Sequence, residues 1–289
     1  MTLYKGMDAE TLEAEYNLVA RRGADFPDVV ERWMARGAAH CEASGARMNL
    51  AYGDGEREKL DFFFAGDHDG PVIVYIHGGY WQRGDKSMYS FVSEAFIKHG
   101  VSVAVLNYDL TPAVRMGQIP PQIRKAIAWN WHNAKDLGFS PDKLFVMGHS
   151  AGGHLTSRMM STDWPAFDSA LPADLIRGGV PVSGLYELEP LVHTSLNNGP
   201  QMDIPEAIAE SPTFIPPVTN APQLVVVGGG ETPEFLRQSD DYSAKFVTPE
   251  RSMERYDVPE ADHFDELERL AEDDSVFFEK SMQLINTFN

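Results

Sequence analysis

Leu144 to Leu155 reads LFVMGHSAGGHL, an apolar run that stops at Gly148-His149-Ser150-Ala151-Gly152 and gives way to small, helix-compatible residues. The run from Lys143 to Met147 has the composition of a buried strand, and Ala151, Gly152 and Gly153 that of a helix start. A serine at such a strand-to-helix turn sits in a strained backbone conformation with its hydroxyl lifted clear. Side chains two positions before or after it would collide, so the turn calls for glycine at both places. G-x-S-x-G in a bare tight turn can be chance. With a strand before it and a helix after it, the pattern makes Ser150 the expected nucleophile of a nucleophile elbow.

Composition limits what can be built around that serine. The chain has 289 residues, of which 43% are hydrophobic, enough for a sizeable core and compatible with one α/β domain. A formal charge of −19 disfavours nucleic acid or an anionic membrane as partner. Cys41 is the single cysteine, which rules out an internal disulfide and fits a reducing compartment. The first residues, MTLYKGMDAETLEAEY, carry acids where a signal peptide needs an apolar core. No stretch approaches the roughly 18 apolar residues of a membrane span. A soluble cytoplasmic protein is the expectation, with the oligomeric state open between monomer and homodimer.

In chain order, residues 8 to 37 read as one or two amphipathic helices, with Leu12, Tyr16, Val19, Val29, Val30 and Trp33 at helical spacing and a break at Asp25-Phe26-Pro27-Asp28. This N-terminal segment, 1–45, is expected to pack on the core, either over the mouth of a site or simply along a sheet edge. Residues 46–289 form the main domain. Glu58 to Phe64 and Pro71 to Ile76 read as strands, the second of them VIVYI, buried on both faces.

That strand runs into His77-Gly78-Gly79-Tyr80-Trp81. Attack on an acyl carbonyl needs backbone N–H donors aimed at the developing oxyanion, and glycines let the main chain approach closely. Gly79 and Tyr80 are the expected donors, joined by Ala151. His77 is expected to fix the loop through hydrogen bonds rather than to act as a base. A helix over Ser87 to His99, a strand over Val101 to Asn107, and a helix opened by Pro120 and Pro121 and stopped near Gly138 follow. Strands alternating with helices at this spacing predict a mostly parallel central sheet with helices on both faces.

HGGYW, the Tyr108-Asp109-Leu110-Thr111-Pro112 stretch and GHSAGGH, in this order, resemble the α/β-hydrolase fold, and within it the kynurenine formamidase (arylformamidase) group near the hormone-sensitive-lipase-like esterases. The resemblance runs from about Asp61 to Leu270. Lipase-like esterases usually carry a third glycine where this chain has Tyr80, and an aromatic at Trp81 is typical of the formamidase side. The resemblance implies that the proline-rich stretch 186–220 is a cap-like insertion forming a lid or substrate pocket. A passive surface excursion is the other reading, although long loops in compact domains are usually functional.

The acid and the base should follow the serine in that order. Gly228-Gly229-Gly230 delivers Glu231 at the C-terminal end of the strand Gln223 to Val227, the edge where catalytic groups gather. His263 follows the strand Ser252 to Val258 and is the expected base. Asp257, Glu260 and Asp262 are rivals of Glu231, with Asp262 disfavoured because it would have to fold back on its immediate neighbour. His154, one turn past Ser150, is expected to pack or bind backbone.

The expected chemistry is acyl transfer to Ser150, with His263 as general base and then acid and Glu231 holding its tautomer. Tyr80, Trp81, Phe235 and Phe264 are candidate walls of an aromatic slot, each equally at home in a core. Arg83, Arg115 and Arg237 are candidates to meet a substrate carboxylate. No CxxC, HExxH or spaced His/carboxylate cluster is present, so neither a metal nor another cofactor is expected. The substrate expected is an aromatic formamide or short acyl ester. A general carboxylesterase or thioesterase is the alternative, and a ligand receptor on a hydrolase scaffold ranks last, because no part of the machinery is damaged.

Overall fold

A computed structural model describes residues 2–288. Eight strands form one sheet: β1 (Arg47–Ala51), β2 (Lys59–Phe63), β3 (Val72–Ile76), β4 (Ser102–Leu106), β5 (Leu144–His149), β6 (Ile176–Val182), β7 (Gln223–Gly228) and β8 (Met253–Val258). Their spatial order is β1-β2-β4-β3-β5-β6-β7-β8. β1 and β2 are antiparallel to their neighbours, and every pairing from β4 to β8 is parallel. The central strands β3, β4, β5 and β7 are buried along their whole length, as expected when helices cover both faces of a parallel sheet. This is the α/β-hydrolase architecture expected from the sequence. β1 was not expected: its RMNLA is almost wholly exposed and carries no alternating apolar pattern, with only Leu50 packed against the core.

The strand order reverses at β3, whose neighbours are β4 on one side and β5 on the other. The C-terminal ends of β3 and β5 are therefore a topological switch point, where the crossovers diverge and leave a crevice. His77-Gly78-Gly79 leaves β3 there, and Ser150 leaves β5.

The N-terminal segment forms three helices, α1 (Ala9–Tyr16), α2 (Leu18–Arg22) and α3 (Phe26–Ser44). The break expected at Asp25-Phe26-Pro27-Asp28 is met only at Asp25, and α3 runs on from Phe26. Pro27 lies in the first turn of α3, where its missing N–H is one the helix leaves unpaired anyway. The breaks fall at Asn17, whose side chain accepts from Ala20 N–H and caps α2, and at the 3-10 turn Gly23–Asp25. α3 lays Trp33 against Tyr89 and Phe91, both at 5.7 Å between ring centroids, and Phe26 against Phe264 at 5.0 Å. It thus packs over the end of the sheet that carries the switch point.

Ser87 to His99, expected as one helix, is divided into Lys86–Tyr89, a 3-10 turn Ser90–Val92 and Ser93–Lys98. Residues 186–220 contain no strand, only 3-10 turns and the short helix Ile204–Glu210, in keeping with their prolines.

Candidate active site

Ser150 has φ 58° and ψ −117°, a conformation a non-glycine residue holds only when its surroundings enforce it. The glycines around it do so by permitting close packing. A Cβ on Gly148 would lie 2.4 Å from Gly152 O, and one on Gly152 would lie 1.9 Å from Ile76 O. The Ser150 amide donates to Val182 O at 2.8 Å, while its side chain makes no capping bond to the helix Ala151–Met160 that it precedes.

The loop after β3 comes up against this turn. A Cβ on Gly78 would stand 3.2 Å from Ser150 Cβ. Gly79 takes φ 112°, and a Cβ there would lie 2.1 Å from Arg83 O, so only glycine fits. His77 is buried, stacks on Tyr108 at 4.5 Å and hydrogen-bonds through Nδ1 to Gly78 O at 2.7 Å. Burial lowers its pKa to about 4, which keeps it neutral and suits the loop-fixing role expected of it. Tyr80 donates its hydroxyl to Tyr16 O of α1, pinning the ring. Among the described residues the amides of Gly79, Tyr80 and Ala151 donate to no protein acceptor.

His263 Nδ1 lies 2.7 Å from Glu231 Oε2. The other carboxylate oxygen, Oε1, accepts from Gly228 N–H at 3.0 Å and from the Ser183 hydroxyl. With Nδ1 committed to Glu231, Nε2 is the ring nitrogen left for another partner. The rivals of Glu231 are engaged elsewhere. Asp262 pairs with Arg22 Nη1 at 2.5 Å, Asp257 pairs with Arg255 at 2.6 Å, and Glu260 is exposed.

Ser150 and His263 line one cavity of about 250 Å³. Its walls are apolar and largely aromatic. Val19 of α2 and Val30 and Trp33 of α3 form one side, and Tyr80, Tyr89 and Phe264 contribute to the other. The N-terminal helices therefore wall the cavity that holds Ser150 and His263. Residues 186–220 contribute nothing to this cavity. They meet the N-terminal helices across an adjoining groove lined by Asn17, Gln82, Arg83, Ser195 and Asn198.

Of the aromatic walls expected from the sequence, Tyr80 and Phe264 line the cavity, and Trp81 and Phe235 do not. Trp81 is fully buried and donates its indole N–H to His154 Nδ1 at 3.2 Å. His154 in turn holds Glu210 O through Nε2 at 2.8 Å, which matches its expected backbone-binding role. Phe235 is buried behind His263, edge-on to the imidazole at 5.1 Å, and packs on Tyr16.

A second buried layer escaped the sequence reading. His149 lies beside His263, ring centroids 4.5 Å apart, and its Nε2–H donates to His263 O at 2.8 Å. Glu266 Oε1 stands 3.1 Å from the same nitrogen. Burial, and then the charge of Glu231, raise the Glu266 pKa well above the usual carboxylate value. Burial lowers that of His149 well below its usual value. Both shifts favour the neutral forms of the two groups. His149, His263 and Glu266 are also the one group of potential metal ligands brought together among the described residues, within 4.8 Å of one another. His149 Nε2 is already committed to its bond with His263 O, and a carboxyl favoured in its neutral form is a weak ligand, so the group fits a buried brace behind His263.

The BD-FAE family matches residues 60–172. The kynurenine formamidase of Salmo salar is 31% identical over 95% of both chains, and that of Danio rerio is 28% identical over 99% of both. Among solved structures, a protein from Silicibacter sp. with a provisional thioesterase name superposes with a TM-score of 0.79. It is 34% identical and covers 94% of this chain and 97% of its own.

Proposed function

The chain belongs to the kynurenine formamidase family of α/β-hydrolases and is a hydrolase, and on that premise we propose that it cleaves an N-formyl arylamine through a Ser150–His263–Glu231 triad. The observation that carries this reading is the shared cavity of Ser150 and His263, with Glu231 on the far nitrogen of the imidazole. His263 Nε2 takes the Ser150 hydroxyl proton as Oγ attacks the formyl carbon. The unpartnered amides of Gly79, Tyr80 and Ala151 stabilise the oxyanion. Collapse breaks the C–N bond, His263 protonates the departing amine, and Ser150 keeps the formyl group. Water, deprotonated by His263, attacks this ester. Formate leaves and the proton returns to Ser150.

The small acyl group is favoured by Tyr80, whose ring is pinned by its bond to Tyr16 O and leaves little room beside the oxyanion loop. The aromatic leaving group is favoured by Trp33, Tyr89 and Phe264 in the cavity wall. A short-chain esterase or thioesterase reaction at the same triad is the second reading, supported by the name of the Silicibacter relative. Hydrolysis of a matched series tests the choice. The formamide reading expects kcat/KM for an N-formyl arylamine to exceed that for its N-butyryl analogue by at least about a hundredfold. Ready cleavage of aryl butyrates or acyl thioesters with N-formyl arylamides untouched overturns it in favour of the second reading.

A further inference from the structure

We propose that Glu266 is a positioning residue for His263, acting through the imidazole of His149. The proposal rests on the triad assigned above.

Glu266 stands where the helix pattern calls for an aliphatic side chain. The helix Asp265–Leu270 turns Glu266, Leu267 and Leu270 inward, and Glu266 is fully buried. Packing alone gives no reason to place a carboxyl there, because a polar group removed from water costs stability unless it is partnered. Its Oε1 lies 3.1 Å from His149 Nε2, the nitrogen that donates to His263 O at 2.8 Å. Nδ1 of the same ring has no partner. An imidazole with two oxygens facing Nε2 and none facing Nδ1 carries its proton on Nε2, and that proton holds the main chain of His263. Glu266 thereby fixes the tautomer of the residue behind the base, as Glu231 fixes that of the base itself. His149 immediately precedes Ser150, and its ring lies 4.5 Å from that of His263, so the contact ties the nucleophile's strand to the base.

The two carboxyls behind His263 are treated differently. Glu231 faces three donors, His263 Nδ1, Gly228 N–H and the Ser183 hydroxyl. The Ser183 hydroxyl is near enough to act on both carboxyls. Its one proton goes to Glu231, which leaves both Glu266 oxygens without a donor among the described residues. The titratable groups that bear on Glu266 are Tyr75 of β3, His149 of β5, Tyr186 after β6, Glu231 after β7, and Asp262 and Asp265 at the start of its own helix. None of them is a cation, since burial keeps His149 neutral, and Asp262 and Asp265 are matched by Arg22. An uncharged carboxyl can turn a carbonyl oxygen to His149 without setting a second negative charge beside that of Glu231. A second charge would stabilise the imidazolium of His263 and deplete the form able to take a proton from Ser150.

The test measures kcat and KM on an N-formyl arylamine and on an aryl acetate. The rate at which a fluorophosphonate labels Ser150 is the readout that needs no substrate. Glu266→Met removes the oxygens and keeps an unbranched chain of similar length. It is expected to lower kcat and the labelling rate by roughly tenfold, with KM within about twofold of wild type. Glu266→Gln returns an uncharged carbonyl to the same place and is expected to recover most of that loss. Leu267→Ala, on the same buried face, is the packing control. It should lower Tm and leave kcat within about twofold of wild type at a temperature where it is folded. Wild-type kcat in Glu266→Met, a loss confined to KM, a Glu266→Gln variant as slow as Glu266→Met, or an equal loss in Leu267→Ala each overturns the proposal. If Glu266→Met does not fold, Glu266→Ala takes its place under the same criteria, and a roughly tenfold loss in Glu266→Gln overturns the proposal by itself. If wild type cleaves only the ester, the formamide reading fails while the ester and the label still report on Glu266. Variants that take up label at the wild-type rate overturn this proposal alone. Wild type that cleaves neither substrate and takes up no label overturns the triad, and this proposal with it.

Discussion

His263 Nδ1 and Glu231 Oε2 are 2.7 Å apart, while the second oxygen of the same carboxylate is held by two donors, Gly228 N–H and the Ser183 hydroxyl. This asymmetry fixes what an amide in its place would do. In Glu231→Gln the carbonyl oxygen stays with the two donors, and the NH2 turns toward His263. The imidazole must then accept at Nδ1 and carry its proton on Nε2, the tautomer that cannot act as a base. We expect kcat to fall by about 10⁴, as when the acid of other triads becomes an amide. Asp262→Asn, which breaks an ion pair with Arg22, should cost less than about tenfold. Steady-state kinetics on one activated ester compares them, and equal losses would place the acid elsewhere.

The covering of Ser150 by the N-terminal helices gives the second expectation. Val30 is half-buried and lines the cavity from α3. Val30→Trp should occupy part of the 250 Å³ and lower kcat/KM for an aryl substrate by roughly tenfold or more. A small substrate such as methyl formate should be much less affected. A variant with unchanged aryl kinetics would mean that substrate does not enter past α3.

Trp81→Ala should act on stability rather than on substrate choice. The indole is fully buried and bonded to His154, so its removal leaves a void and an orphaned acceptor and should cost about 3 to 5 kcal/mol. Urea unfolding measures the loss. The ratio of formyl to butyryl turnover should stay within about threefold of wild type at a temperature where the variant is folded, and a collapse of that ratio would restore Trp81 to the substrate site.

These contrasts show where the sequence was readable. The Ser150 turn was legible because its constraint is local: the glycines that permit it lie two residues away on either side. The Glu231–His263 contact could be anticipated because each residue follows a strand, and strand ends on one sheet edge converge. Trp81 and Phe235 were misread because an aromatic beside a catalytic motif looks the same in sequence whether its ring faces the cavity or the core. Pro27 looked like a helix break because the first turn of a helix tolerates proline as readily as a loop does. β1 lacks an apolar stripe. The His149–Glu266 contact joins residues far apart in the chain, and no spacing rule reports it.

The buried histidines and Glu266 set the pH dependence of stability in opposite directions. His77, His149 and His154 have folded pKa values below the unfolded value of about 6.5, at about 4 for His77 and about 3 for His154. Each favours the fold while neutral, so its contribution is present above pH 6.5 and is lost as the pH falls toward the folded value. Glu266 has a raised folded pKa. Its contribution is complete below about 4.5 and is lost as the pH rises through the folded value. Wild type should therefore lose stability on acidification below about pH 6.5, with Glu266 offsetting part of the loss. Glu266→Gln, which cannot ionise, should gain on wild type progressively from about pH 4.5 upward. Thermal melting of both from pH 4 to 8 reads the difference, and parallel curves would show that Glu266 is not held neutral.

The measurement that bears most directly on the account is peptide mass mapping after reaction with a fluorophosphonate, with Ser150→Ala as the blank. A triad with Ser150 as nucleophile predicts a single adduct on the peptide carrying Ser150, loss of hydrolysis in step with labelling, and no adduct in the variant. An adduct on another residue, or full hydrolytic activity in protein that takes up no label, would contradict it.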